Sequence, residues 1–216
     1  MNYKTIDMDS FPRRAHFEYF KGLAYPYVGF TVNVDITGFL AQQKRLGLPF
    51  YLALAYCVTR AANSVPEFRR RIHGDGIIEY DWCHGSHTVA LPDDTYCYCT
   101  LDCLMPFDAY LPCAAEAWER AKAASSIEDG EDADSLLFFS SIPWMSFTSV
   151  IQPTLSPADS NPRITWGKYF RQDGKVLLPL AVLCNHALVD GLHISRFYSA
   201  LDRELAELTD RLGDMG

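Results

Sequence analysis

Hydrophobic and polar positions follow two different periods along this chain. Alternating runs, or runs rich in β-branched and aromatic residues, predict strands at residues 27–36, 76–82, 86–91, 95–101, 136–144, 147–151, 164–170 and 175–184. Helical spacing, or an almost wholly apolar and Ala-rich composition, predicts helices at residues 11–20, 37–46, 49–63 and 114–124, and a last helix after Gly191. Because strands and helices mix without strict alternation, the pattern predicts an α+β (mixed α/β) fold, a two-layer sandwich of a mixed β-sheet covered by helices, in a single domain over residues 1–216.

Local signals sharpen parts of this pattern. Tyr96 and Tyr98 should share one face of their strand, because side chains alternate between faces. The dipeptide Asp173-Gly174 predicts a hairpin turn between the last two strands. The acidic stretch 128–134 predicts a solvated loop, and the apolar stripe from Ile194 to Leu208 predicts that one side of the final helix packs on the core.

Composition narrows the class of protein. Of the 216 residues, 49% are hydrophobic and 21% are charged, which excludes intrinsic disorder of the whole chain. The 19 Lys and Arg against 27 Asp and Glu give a formal net charge of −8, which argues against a nucleic-acid or anionic-membrane partner. Seven cysteines, an odd number without a Cys-x-x-Cys pair, argue against a disulfide scaffold and favour the cytoplasm. The sequence shows no signal-peptide hydrophobic region and no apolar run long enough to span a membrane.

The strongest chemical signal is the motif His186-x-x-x-Asp190-Gly191, between a predicted buried strand and the final helix. An imidazole exchanges its proton near neutral pH and can take one from a hydroxyl. Gly191 permits a backbone conformation that other residues resist. By itself, this motif fits a structural histidine as well as a catalytic one.

Over nearly its whole length the chain resembles the chloramphenicol acetyltransferases. Seven stretches in family order and spacing carry the resemblance: Asn2-Tyr3, Arg13 to Glu18, Val34 to Thr37, Ser140 to Trp144, Lys168-Tyr169, Leu177 to Leu180, and Asn185 to His193. The resemblance implies a homotrimer with active sites at the subunit interfaces. It implies direct transfer of acetyl from acetyl-CoA, as co-substrate, to a hydroxyl of a small molecule, with chloramphenicol and antibiotic resistance as one candidate role.

The resemblance also assigns roles residue by residue. His186 falls on the general base that deprotonates the acceptor. Asp190 and Arg13 fall on a buried ion pair that fixes the loop of His186. Ser140 falls on the donor to the tetrahedral oxyanion, and Thr165 on a threonine that holds a water there. Taken singly, these residues also fit a surface cation and ordinary strand positions, but their joint occurrence in family order favours catalysis.

Two further sets follow from the same resemblance. Lys168 and Tyr169 would line the CoA channel. The expected acceptor-binding residues are those that replace the family's usual pocket side chains: Phe20, Tyr96, Tyr98, Val150 and Gln152. Phe20 stands for a tyrosine and Tyr98 for an alanine, so Tyr98 would fill space that chloramphenicol needs. Asn185 replaces the first histidine of the family's His-His pair, which spares the base itself.

Alternatives remain open at this point. The altered pocket fits an acetyltransferase for a different hydroxyl, or a non-catalytic relative that binds CoA or an aromatic ligand. A transferase resembling the dihydrolipoyl acyltransferase core is the third alternative. His84-x-x-His87 and the group Cys97, Cys99 and Cys103 resemble metal ligands only superficially, and no metal site is expected. His193 is interpreted as a helix-start residue rather than a second base.

Overall fold

The computed structural model of the protein describes residues 1–129 and 132–214. Its helices are α1 (Arg14–Lys21), α2 (Thr37–Arg45), α3 (Phe50–Asn63), α4 (Phe107–Ala124) and α5 (Gly191–Gly213). Its strands are β1 (Tyr3–Thr5), β2 (Tyr27–Asp35), β3 (Arg70–His73), β4 (Gly76–Tyr80), β5 (His84–Ala90), β6 (Tyr96–Leu101), β7 (Leu136–Ile142), β8 (Arg163–Gly167), β9 (Phe170–Gln172) and β10 (Lys175–Asn185). Short 3₁₀ turns occupy Pro66–Arg69 and Ala133–Ser135.

The strands form one large and one small sheet. The large sheet has the order β2-β10-β8-β7-β5-β6, with β9 paired to the start of β10. Strand β7 runs parallel to β5 and β8, whereas β10 is antiparallel to β2, β8 and β9, so the sheet is mixed as predicted. The small antiparallel sheet has the order β1-β4-β3. The Asp173-Gly174 hairpin turn is also confirmed, since both residues have positive φ between β9 and β10.

Helices cover one face of the large sheet, which confirms the two-layer architecture. The ring of Trp166 on β8 packs against Tyr51 of α3 at 5.0 Å between centroids, which marks the helix-covered face. The predicted stripe of α5 is buried, with Phe197 and Leu201 at 0% exposure. Successive side chains of a strand point to opposite faces, so Thr165, next to Trp166 on β8, points away from the helices. Within the described residues, no helix has the length and apolar composition that crossing a bilayer requires.

Two predicted helix starts were wrong. Helix α1 begins at Arg14 rather than residue 11, and α4 begins at Phe107 rather than 114, because Pro112 is accommodated in its second turn. Thr37 is the first residue of α2, where the predicted helix begins. Its hydroxyl donates to the Asp35 carboxylate and accepts from the backbone N–H of residue 176, so the side chain ties β2 to β10.

One strand prediction also needs correction. Residues 147–151 form no strand, because β7 already has partners on both edges and the chain beyond Ile142 leaves the sheet. Ile151 is accordingly 96% exposed. The strands predicted at 76–82 and 86–91 both form, but they belong to different sheets because β4 is enclosed between β1 and β3.

Two residues of the acidic stretch 128–134 have hydrogen-bond partners on distant strands. The Asp134 carboxylate accepts a hydrogen bond from the Tyr80 hydroxyl at 2.9 Å and contacts the His73 ring at 2.8 Å. The Asp129 carboxylate accepts one from the Ser86 hydroxyl. Residues 130 and 131 of this predicted loop lie outside the described residues. The expectation of a solvated loop was wrong for Asp129 and Asp134, because partners from distant strands reach them.

A buried histidine lies between the sheet and the helices. The ring of His87 on β5 is 4.9 Å from that of Tyr51 and 5.7 Å from that of Trp118. The residue is 1% exposed, and neither ring nitrogen has a hydrogen-bond partner among the described residues. Burial lowers the pKa of His87 to about 4, so the folded protein holds this imidazole neutral.

Acidification should therefore destabilise the protein through His87. The unfolded imidazole takes up a proton below about pH 6.5, whereas the folded one stays neutral down to about pH 4. Its contribution to stability is complete above pH 6.5 and is lost as the pH falls towards 4, by about 3 kcal/mol in total. In urea unfolding at fixed protein concentration between pH 7 and 4, His87→Leu should show a shallower decline. The exposed His16 on α1, changed to Leu, should keep the wild-type decline, and an unchanged acid slope in His87→Leu would contradict the prediction.

Candidate active site

His186 lies in the turn between β10 and α5, where the sequence placed it. Its backbone N–H donates to the carbonyl of Pro26 at 2.7 Å, which ties the turn to the segment before β2. The N–H groups of Leu188 and Val189 donate to the carbonyl of Asn185 at 3.1 and 3.0 Å. These bonds close a tight turn directly after a buried strand, so the imidazole has a defined position.

The imidazole of His186 is half-buried and oriented by two contacts. Its Nδ1 lies 2.8 Å from the carbonyl oxygen of Val189. A carbonyl oxygen can only accept, so Nδ1 carries the proton in this contact and the Nε2 of the neutral ring keeps its lone pair. The ring of Phe20 on α1 packs on the imidazole with 3.9 Å between centroids. The form with the proton on Nδ1 is the tautomer that a general base acting through Nε2 needs.

Arg13 and Asp190 pair, although they are far apart in sequence. The Arg13 guanidinium donates to the Asp190 carboxylate, whose other oxygen caps α5 by accepting from the backbone N–H of Leu192 at 3.0 Å. Burial raises the pKa of the Asp190 carboxyl, but the hydrogen bond and the positive charge of Arg13 outweigh it, so the pKa lies below its usual range. The pair is not buried as expected, since the side chains are 21% and 28% exposed at the surface-facing N-termini of α1 and α5.

His193 and Asn185 support the same turn. His193 Nδ1 accepts the backbone N–H of Asp190 at 3.1 Å and completes a capping box, so His193 is a helix-start residue as interpreted. The Asn185 side chain accepts from the N–H of Ala187 at 3.1 Å and donates to the carbonyl of Asp159 at 3.0 Å. The buried Asn185 amide therefore links the turn to the segment that contains Asp159.

Ser140 and Thr165 form a second group on the large sheet. They are register partners on the parallel strands β7 and β8, so their side chains share the face turned away from the helices. The Thr165 hydroxyl donates to Gln152 Oε1 at 3.1 Å. Tyr98 lies on the same face of β6, where its ring stacks 5.9 Å from that of Tyr96. Of the predicted acceptor residues, Tyr96, Tyr98 and Gln152 therefore lie on this face, and Val150 is half-buried in the segment after β7.

Within one chain, His186 and its turn are far from Ser140 and Thr165. Thr165 is paired with Ala181 on β10, and His186 lies five residues further along the chain from Ala181. At the rise of an extended strand this separation is about 16 Å along the sheet. Phe20 accordingly joins His186 and not the group around Tyr98.

The predicted CoA-binding pair occupies the break between β8 and β9. The backbone N–H of Lys168 donates to the carbonyl of Met145 at 2.8 Å instead of to β10, and its side chain is exposed. The ring of Tyr169 packs 5.8 Å from that of Phe50, with the Lys44 ammonium 5.8 Å from its centroid. Neither residue lies beside His186 in the same chain.

The other histidines and cysteines do not converge. His84 and His87 are three positions apart on β5, so they point to opposite faces of the sheet. Within the described part of the chain, no three His, Cys, Asp or Glu side chains are grouped to hold a metal ion. All seven cysteines are free, and Cys97, Cys99 and Cys103 are buried.

Comparison with known proteins identifies the family. The family model described as Chloramphenicol acetyltransferase matches residues 1–202. A chloramphenicol acetyltransferase of Clostridium perfringens is 31% identical over 219 aligned residues, which cover 99% of this chain and 100% of that protein. This chain belongs to the chloramphenicol acetyltransferase family. It is therefore a member of a family of acetyltransferase enzymes.

Solved structures agree with this fold. A chloramphenicol acetyltransferase structure superposes with a TM-score of 0.81 at 24% identity, covering 94% of this chain and 100% of that chain. The cubic core of a pyruvate dehydrogenase multienzyme complex superposes with a TM-score of 0.65 at 23% identity, covering 90% of this chain and 87% of that chain. The described residues therefore adopt the chloramphenicol acetyltransferase fold, as the sequence predicted.

Sequence reasoning missed two parts of this site. It did not foresee that the Val189 carbonyl sets the tautomer of His186, because any residue type supplies a backbone carbonyl. It also left the role of Asn185 undefined. A polar residue at the end of an apolar strand signalled that the side chain needs buried hydrogen-bond partners, but its partner Asp159 lies on a remote segment.

Proposed function

We propose that the whole chain acts as one acetyltransferase domain that transfers acetyl from acetyl-CoA to a hydroxyl of a small molecule. Chloramphenicol, which the curated relatives are named for, is the first acceptor to test. One observation carries the proposal: in a member of this family, the His186 ring is held with Nδ1 on the Val189 carbonyl, so Nε2 is available as a base.

The proposed reaction is a direct transfer within a ternary complex. Nε2 of His186 removes the proton of the acceptor hydroxyl, and the oxygen attacks the thioester carbonyl carbon of acetyl-CoA. The C–S bond then breaks, and the proton on His186 passes to the departing CoA thiolate. The Ser140 hydroxyl donates to the tetrahedral oxyanion, which typically contributes about 10²–10³ in turnover, and Thr165 supports the same oxygen through a water.

The remaining residues have supporting roles in this proposal. Arg13 and Asp190 position the turn that carries His186. Lys168 and Tyr169 line the CoA channel. The walls of the acceptor pocket are assigned to Phe20, Tyr96, Tyr98, Val150 and Gln152. The free thiols fit a reducing compartment, and we propose the cytoplasm.

We further propose a homotrimer whose sites combine the two groups across each interface. Within one chain, His186 lies about 16 Å along the sheet from Thr165, which is too far for both to touch one reacting carbonyl. A closed ring of identical subunits brings each base to the neighbour's Ser140 through the same contact. This arrangement accounts for a base and an oxyanion donor that single chains keep apart.

Mixing two inactive variants tests this shared site. His186→Ala lacks the base and Ser140→Ala lacks the oxyanion donor, so each variant alone should show little thiol release from acetyl-CoA in the presence of a hydroxyl acceptor that the wild type acetylates, chloramphenicol being the first to try. After unfolding and refolding together in equal amounts, roughly a quarter of the sites should combine an intact His186 with an intact Ser140. Activity near that fraction of wild type is the expected result.

The mixing experiment has two contrary outcomes. A mixture that stays as inactive as its components would contradict the shared interface. CoA binding by the wild type without thiol release on any hydroxyl acceptor would contradict the acetyltransferase proposal and favour a non-catalytic relative, an alternative that Tyr98 in the pocket motivates.

A further inference from the structure

The segment after α4 brings an acidic side chain onto the face of the large sheet that is turned away from the helices. The backbone N–H of Tyr98 donates to the carbonyl of Ser126 at 2.8 Å, which fixes this segment against the edge strand β6. Three residues later, the Asp129 carboxylate accepts a hydrogen bond from the Ser86 hydroxyl. Ser86 is 3% exposed in the middle of β5, so Asp129 reaches inward over the sheet.

Strand register shows that Asp129 lies near Ser140 and the predicted acceptor-binding residue Tyr98. Ser86 is opposite Thr100 on β6 and Phe138 on β7, and Ser140 lies two residues beyond Phe138. Since side chains alternate, Ser86, Ser140 and Tyr98 share one face. Ser140 and Tyr98 lie two residues along the strands from Ser86, which is about 7 Å in an extended strand, so the Asp129 carboxylate on Ser86 is about that far from them.

Among the described residues, this carboxylate has no cationic partner. Among residues 1–129 and 132–214, no Lys, Arg or His nitrogen forms an ion pair with Asp129. The side chain is half-buried, and burial raises its pKa while the Ser86 hydrogen bond partly offsets the effect. A neutral ligand that covers such a carboxylate removes water from it and returns no charge, which disfavours binding.

We propose that Asp129 selects an acceptor with a cationic nitrogen several bonds from its reactive hydroxyl. The inference rests on the proposed function, since it names the substrate class of the same site. A cation over Asp129 would replace the water that the carboxylate loses and would place the hydroxyl near Ser140. Chloramphenicol has no cationic group, so Asp129 and the bulky Tyr98 both disfavour it.

Two acceptors of equal shape test the charge directly. (6-Hydroxyhexyl)trimethylammonium and 7,7-dimethyloctan-1-ol differ only in a charged nitrogen and a neutral carbon, and neither can be acetylated on nitrogen. In wild type, both kcat/KM from thiol release and affinity from calorimetry should favour the cation by about tenfold or more, the lower end of what a close charge pair contributes. Asp129→Asn keeps the hydrogen bond with Ser86 and should bring the two compounds within about threefold.

A matched variant and separate readouts make the outcomes distinct. Asp132→Asn removes the same charge from an exposed position in the same acidic stretch and should keep the wild-type preference. Equal affinity of wild type for the two compounds, or an unchanged preference in Asp129→Asn, would overturn the inference whatever the turnover. If thiol release is absent with every acceptor while calorimetry still shows the charge preference, the proposed function fails and the inference stands.

Discussion

Replacing His186 with alanine should lower the turnover of acetyl transfer by about 10³- to 10⁴-fold, the upper range of what a general base supplies. The reason is the geometry of the ring. Its Nδ1 is engaged by the Val189 carbonyl and its Nε2 alone is free to accept the hydroxyl proton. The affinity for acetyl-CoA should change little, because the base acts on the acceptor. Steady-state thiol release with chloramphenicol and with other hydroxyl acceptors measures turnover, and calorimetry measures CoA binding.

A second histidine variant provides the control. His73 is an exposed imidazole on β3, in the small sheet, and His73→Ala should retain wild-type turnover. If His186→Ala keeps a rate within about tenfold of wild type, the base has been assigned to the wrong residue.

Separating Arg13 from Asp190 should reduce turnover by about 10²-fold, because a base displaced by about 1 Å loses that much. Asp190 accepts from Arg13, caps α5 and holds His193 through its own N–H, so the turn that positions His186 depends on it. Arg13→Ala, Asp190→Ala and the double variant form a cycle. We expect a coupling free energy of unfolding of about 1–3 kcal/mol, below the cost of splitting a fully buried pair because both side chains are about a quarter exposed.

The neighbouring pair Arg14 and Asp9 is the control for this cycle. Its side chains are 54% and 92% exposed at 2.8 Å, so its coupling should be within about 0.5 kcal/mol of zero and its variants should keep turnover. Measured coupling for Arg13 and Asp190 as small as this control, with turnover intact in both single variants, would show that the pair does not position the base.

Local periodicity predicted most elements because it reports which side chains one helix or strand must bury. The stripe of α5, the hairpin at Asp173-Gly174 and the alternation on β6 all appear in the structure. The strand predicted at 147–151 failed for a non-local reason. A β-rich segment becomes a strand only if an edge is free to pair with it, and β7 has none.

The sequence by itself determined the family, the two-layer mixed fold and the residues of the candidate site, because order and spacing of motifs are local properties of the chain. Only the tertiary structure decided where those residues meet. The register of β8 on β10 separates Thr165 from His186, and the contact of Ser86 with Asp129 joins residues that no sequence pattern links. The physical reason is that strand register and side-chain partners arise from pairing between remote segments, and each choice depends on the packing of the whole sheet.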